Sequence, residues 1–228
     1  MKKTGIQAIL FDLDGTLIDS SFDLMTSVNL MLAQYNLQPI SYRQCIQFVG
    51  DGIPKLVNRA LGASVHQNPN AETEPEFLCQ AVTLFRENYA KHLVDHTRLY
   101  PSVSETLSKL CDFKLAVISN KSYDFSVEIL TRLQILDLFD LILGGDSLVE
   151  KKPSPQPILY ALEKFNVSPN KALMVGDGEN DILAGKSAGI MTCGVTYGFR
   201  SKTDIVALRP DFTIGKFYEL LSIHCLFE

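Results

Sequence analysis

This chain has no long apolar run, no basic tract and no paired-cysteine motif, and each absence removes a class of protein. No stretch reaches the ~20 apolar residues that a membrane-spanning helix needs, so no membrane partner is expected. The longest basic runs are Lys2-Lys3 and Lys151-Lys152, in a chain of net charge −5 and pI ≈ 5.4. That balance argues against a nucleic-acid footprint. The five cysteines (Cys45, Cys79, Cys111, Cys193, Cys225) are scattered, odd in number and never spaced Cys-x-x-Cys. Such usage fits reduced thiols and neither a disulfide framework nor a zinc knuckle. The two N-terminal lysines run straight into strand-like sequence without a small-residue cleavage site, so a soluble cytoplasmic protein is expected. Internal repeats and low-complexity tracts are also missing. The 228 residues, 46% of them hydrophobic, suffice for one large or two modest cores.

What is present begins with Asp12-Leu13-Asp14-Gly15-Thr16, directly after an apolar run over residues 6–11. Ile6, Ala8 and Leu10 alternate with Gln7, Ile9 and Phe11, so both faces are largely apolar. A short run of that kind suits a strand buried on both sides of a parallel sheet. Two carboxylates follow where the chain leaves the sheet, and Gly15 lets the backbone turn sharply. Open α/β sheets bind ligands beyond the carboxyl ends of their strands. Two acids placed there suit a divalent cation, with a capped turn as the plainer alternative.

Beyond residue 100, strand patterns at 114–119, 139–143, 172–175, 191–196 and 212–214 alternate with helix patterns at 123–133, 154–165 and 181–188. This alternation predicts an α/β fold, a doubly wound, Rossmann-like parallel sheet. Residues 19–96 break the rhythm, with helix patterns at 22–35, 53–61 and 76–93 and no convincing strand. The expected organisation is an α/β core domain of residues 1–18 and 97–228, carrying the site, with an all-α domain of residues 19–96 inserted into it.

Three more junctions follow strands. Ser119-Asn120 closes one and suits either a helix N-cap or an anion held by free backbone N–H groups. Lys151-Lys152 precedes Pro153, where a lysine either reaches over the strand ends toward a phosphate or stays solvated. Gly176-Asp177-Gly178-Glu179-Asn180-Asp181 closes the last, with two acids on one helical face or complementing a helix dipole. In a parallel sheet all these junctions lie along one edge, so Asp12, Asp14, Asp177 and Asp181 are expected to crowd together. Two bare charges ~5 Å apart at an effective dielectric of ~20 repel by roughly 3 kcal/mol. A hard, oxygen-loving cation is therefore expected, and Mg²⁺ suits a site that also takes a phosphate.

The residues resemble the haloacid dehalogenase-like superfamily of hydrolases. Its pattern is Asp-x-Asp-Gly-Thr, a Ser or Thr after the second strand, a Lys, and Gly-Asp-x-x-x-Asp; here these are residues 12–16, Ser119, Lys152, and Gly176-Asp177 with Asp181. The resemblance implies that Asp12 is the nucleophile and Asp14 the general acid/base. It implies Mg²⁺ on Asp12, the Asp14 backbone carbonyl and Asp177, with Asp181 ligating or just outside. Ser119 and Asn120 would hold phosphoryl oxygens, Lys152 would pair with developing charge, and Thr16 would hold Asp14 by a hydrogen bond near the substrate. The inserted segment resembles the family's small helical cap, which closes over substrate to exclude water.

Phe48-Val49-Gly50-Asp51-Gly52, Arg59-Ala60-Leu61 and Gly144-Gly145-Asp146-Ser147 resemble the phosphoglycolate phosphatase subgroup, which places Gly50 among substrate-binding positions. Two positions depart from it: Asp51 stands where Asn is common, and Gly178 where Ser or Thr is common. The activity this implies is Mg²⁺-dependent hydrolysis of a small phosphorylated metabolite through an aspartyl-phosphate. A sugar phosphomutase of the same superfamily, or a non-catalytic binding protein on the scaffold, are the alternatives. His92 and His96 lack the His-Glu-x-x-His pattern and read as a solvated helix face. Gly185-Lys186-Ser187 lacks the earlier glycine of a phosphate-binding loop.

Overall fold

A computed structural model describes residues 5–223, so Lys2, Lys3 and Cys225 lie outside the described residues. Strands β1 (Ala8–Phe11) and β2 (Ile18–Asp19) precede four helices, α1 (Ser21–Gln34), α2 (Tyr42–Phe48), α3 (Ile53–His66) and α4 (Pro75–Lys91). Next come β3 (Arg98–Leu99), α5 (Val103–Ser108), β4 (Lys114–Ile118), α6 (Tyr123–Arg132), β5 (Leu141–Leu143) and α7 (Gln156–Phe165). The chain ends with β6 (Ala172–Gly176), α8 (Glu179–Ser187), β7 (Met191–Val195), α9 (Lys202–Ala207) and β8 (Phe212–Ile214). It divides into two compact units, Met1–Asp19 with Leu99–Glu228, and Ser20–Arg98.

The first unit is an α/β fold built on a parallel six-stranded sheet of order β5-β4-β1-β6-β7-β8. Every residue of β1 is buried, which is why its sequence does not alternate apolar with polar. Ala8 and Leu10 share a core cluster with Ile158 and Leu162 of α7 and Ala184 of α8. Phe11 meets the rings of Phe139 and Phe217, at 6.3 and 5.8 Å between centroids. In register, Phe11 pairs with Val117 of β4 and Val175 of β6. The residues just past these three strands therefore leave the sheet along one edge.

The second unit is helical. Val28, Met31, Val57, Leu61, Phe85 and Tyr89 are buried within it, the last two with rings 5.5 Å apart. Helix α2 is absent from the periodicity reading because seven residues are too few for a repeat. A capping box starts it: Gln44 N donates to Ser41 Oγ at 3.3 Å, and Ser41 N donates to Gln44 Oε1 at 2.9 Å.

His92 and His96 do not share a helix face, which corrects the expectation for them. Helix α4 ends at Lys91, and each histidine lies beside its own aspartate, His92 Nδ1 at 2.7 Å from Asp95 and His96 Nδ1 at 3.2 Å from Asp23. Asp23 is buried and accepts from the backbone N–H of His96 at 3.0 Å and from the N–H and Oγ1 of Thr97, both at 2.7 Å. These bonds fix the backbone of the segment that follows the helix. Among the described residues no helix is long and apolar enough to cross a membrane.

Candidate active site

Asp12 is the first residue past β1, and its N–H donates to Val175 O of β6 at 2.9 Å, which holds it at the sheet edge. Asp177 follows β6, and Asp181 lies in the first turn of α8. Oxygens of these three carboxylates lie within 4.8 Å of one another, a group that could hold a metal ion. Lys152 arrives from the loop before α7, after which Lys152-Pro153 is a cis peptide. Its Nζ donates to Asp12 Oδ1 at 2.7 Å and to Asp181 Oδ1 at 2.5 Å. The lysine is buried, as are Asp177 and Asp181, while Asp12 is partly exposed.

One ammonium does not balance three carboxylates. Burial, then the charge of Asp181, push Asp12 well above the usual carboxylate range despite Lys152. The same two causes raise Asp177 to about 7, against a bond of 2.7 Å from Phe199 N that favours its ionised form. Burial alone would lower Lys152; Asp12 and Asp181 outweigh it and raise the ammonium above its ordinary value. The surplus negative charge and the all-oxygen donor set fit a hard divalent cation.

The Asp14 carboxylate turns elsewhere. Expected to crowd with the other acids, it instead meets a second buried ammonium, with Lys121 Nζ 3.2 Å from Asp14 Oδ2. The three-acid group leaves it out. Thr16 does not hold it: the threonine is fully buried, its Oγ1 has no hydrogen-bond partner, and its carbonyl accepts from Tyr197 Oη at 2.9 Å. A side chain so enclosed does not face a substrate either.

Ser119 follows β4, and its Oγ accepts from Lys121 N at 3.1 Å, an arrangement that leaves the hydroxyl proton to donate outward. Asn120 donates from Nδ2 to Lys152 O at 2.9 Å, so its amide ties the lysine loop to the end of β4. Gly50 belongs to the helical unit, in the loop between α2 and α3, with φ +122°. Beside it, Asp51 pairs with Arg59 at 2.6 Å, and Arg59 also donates to Phe48 O at 2.9 Å. The acid that departs from the subgroup pattern is thus offset by an arginine of α3.

Sequence reasoning missed Lys121 and the segment after β7 that holds Tyr197 and Phe199. A basic residue two past Ser119, and an aromatic-Gly-aromatic triplet at a strand's carboxyl end, were the available signals.

The model of the haloacid dehalogenase-like hydrolase family matches residues 9–195. The chain belongs to that family. These hydrolases include a phosphoglycolate phosphatase of Nitrosospira multiformis, 37% identical over 96% of this chain and 95% of the relative. Another, from Haemophilus influenzae, is 40% identical over 96% and 99%. A crystal structure of a predicted phosphoglycolate phosphatase from Haemophilus somnus superposes with a TM-score of 0.90, at 37% identity, covering 98% of this chain and 99% of the other. A haloacid dehalogenase-like hydrolase of Streptococcus pneumoniae gives 0.83 at 25% identity, covering 98% of this chain and 100% of the other. This chain shares the α/β fold of these dehalogenase-like relatives.

Proposed function

We propose that this protein is a Mg²⁺-dependent phosphatase that hydrolyses a small phosphorylated metabolite of the phosphoglycolate type through an aspartyl-phosphate on Asp12. It is an enzyme of the phosphoric monoester hydrolase class, as the names of relatives about 40% identical over nearly the whole chain support. The observation that carries the reading is the convergence of Asp12, Asp177, Asp181 and Lys152 from three separate strand-end junctions.

Asp12, the Asp14 backbone carbonyl, Asp177 and Asp181 would hold Mg²⁺, which when bound neutralises phosphoryl charge. The chain's own groups do the rest. A carboxylate oxygen of Asp12 attacks phosphorus, the bond from phosphorus to the ester oxygen breaks, and Asp14 gives its proton to the departing oxygen. Water then attacks phosphorus and gives a proton to Asp14. The bond to Asp12 breaks, releasing inorganic phosphate and restoring the carboxylate. Lys152 and the Ser119 hydroxyl align the phosphoryl oxygens, and alignment with charge stabilisation carries most of such a transfer.

Residues 19–96 are assigned the role of the family's cap domain, and residues 1–18 and 97–228 that of the catalytic core. The test is release of inorganic phosphate from phosphoglycolate, sugar phosphates and p-nitrophenyl phosphate with Mg²⁺, and its loss in Asp12→Asn. Conversion of β-glucose 1-phosphate to glucose 6-phosphate without phosphate release would replace hydrolysis with mutase chemistry. Silence toward every ester would end the reading.

A further inference from the structure

Two buried ammonium groups serve this site. Lys152 binds Asp12 and Asp181; Lys121 faces Asp14. Both lysine side chains are almost wholly enclosed, at 2% and 4% exposure. Burying a charge is unfavourable unless it is paired, so each pairing is a built feature and not an incidental surface contact.

Lys121 is held by its backbone at two points. Its N–H donates to Ser119 Oγ at 3.1 Å, and its carbonyl accepts from Gly145 N at 2.7 Å. The side chain therefore extends from a fixed root toward Asp14, while the backbone sets Ser119. Thr16, the residue expected to orient Asp14, does not. An ammonium can only donate, so Lys121 makes Oδ2 an accepting oxygen and fixes which way the carboxyl group faces.

We propose that Lys121 is the positioning residue of Asp14, holding its carboxyl group where it meets the departing ester oxygen. This rests on the phosphatase reading above. As the bond from phosphorus to that oxygen breaks, the Asp14 proton passes to it and negative charge appears on Asp14. The Lys121 ammonium, 3.2 Å from Asp14 Oδ2, keeps the carboxyl group in one orientation while that proton passes. Lys121 therefore matters most where the departing oxygen needs the Asp14 proton and least where it leaves without one.

The test compares leaving groups. p-Nitrophenolate departs without a proton, whereas the alkoxide of phosphoglycolate needs one. The ratio kcat/KM covers only steps through the first irreversible one, so a shared slow dephosphorylation does not mask the difference. Lys121→Met is expected to lower kcat/KM by about 100-fold for phosphoglycolate, or for whichever alkyl phosphate the wild type turns over best, and by no more than about 3-fold for p-nitrophenyl phosphate. Lys121→Arg should recover part of the alkyl-ester activity. Mg²⁺ affinity measured by calorimetry should stay within about 3-fold of the wild-type value, because the Lys121 ammonium is paired with the Asp14 side chain, which is outside the three-acid group.

Equal loss for both esters, no loss, or weakened Mg²⁺ binding would overturn the assignment while leaving the phosphatase reading intact. A wild type inactive toward all esters would bring down both. Should Lys121→Met fail to fold, Lys121→Gln carries the same comparison.

Discussion

The Asp177 carboxylate occupies the space in which a side chain on Gly15 would begin: a Cβ there would lie 2.2 Å from Asp177 Oδ2 and 2.6 Å from its Cγ. Gly15 also has φ +86°, a conformation that side chains resist. The turn just after the two acids of the first junction and the acid of the last are packed against each other.

Gly15→Ala should therefore displace the metal-cluster acid and strain the turn. A loss of at least about 2 kcal/mol is expected in urea denaturation, with phosphatase activity reduced beyond what unfolding explains. An active and equally stable variant would refute the close packing.

Gly178 is the contrasting case. Its φ is −133°, and a Cβ would meet only Asp181 Oδ2, at an ordinary 3.5 Å. Gly178→Ser should leave stability within about 0.5 kcal/mol, read by thermal melting, and restore the residue type common in the subgroup.

The acids set a pH dependence in the metal-free protein. Burial and Asp181 raise Asp177 from 3.8 to about 7, so between these values the folded state binds more protons than the unfolded. The stability contributed by Asp177 is then greatest below pH ~4 and is lost as pH rises through about 7. Asp12 is displaced in the same direction. Melting of the metal-free protein across pH 5–8 should show this fall, and Asp177→Asn should flatten it. Mg²⁺ needs the ionised carboxylates, so its affinity should strengthen over the same interval.

Removing Lys152 leaves Asp12 and Asp181 without their shared cation. Lys152→Met should lower kcat by about 100-fold or more, and should destabilise the metal-free protein more than the Mg²⁺-loaded one. Paired melts with Mg²⁺ and with chelator measure the difference; equal shifts would argue against a shared charge balance.

Asp23→Ala takes the buried acceptor from His96 and Thr97. A loss of about 2–4 kcal/mol is expected, together with faster proteolysis near residues 95–98. Protection as in the wild type would show that other contacts hold that segment.

Much of this was legible because local patterns carry it. The apolar strands, and the acids, hydroxyl and lysine beyond them, could be read in order, since a parallel sheet requires each strand to be buried and each junction to fall at one edge. Element ends were less legible. The stretch over residues 139–143 forms a strand only at Leu141–Leu143, because a 3₁₀ turn over Leu136–Leu138 precedes it and Phe139 packs edge-on against Phe11. Helix α4 stops before the two histidines, and a carboxylate 73 residues away binds the backbone of the second, a contact no local pattern shows.

Order along the chain determined which chemical groups reach the sheet edge: periodicity places the strands, and strand direction places the residues at their carboxyl ends. Tertiary structure alone decided which partner each group takes there. Asp14 faces Lys121 and Thr16 turns inward, and within the helical unit Asp51 is met by Arg59. Those outcomes depend on ångström-scale distances between residues remote in sequence, and in a buried site such distances govern both charge pairing and the burial of a hydroxyl.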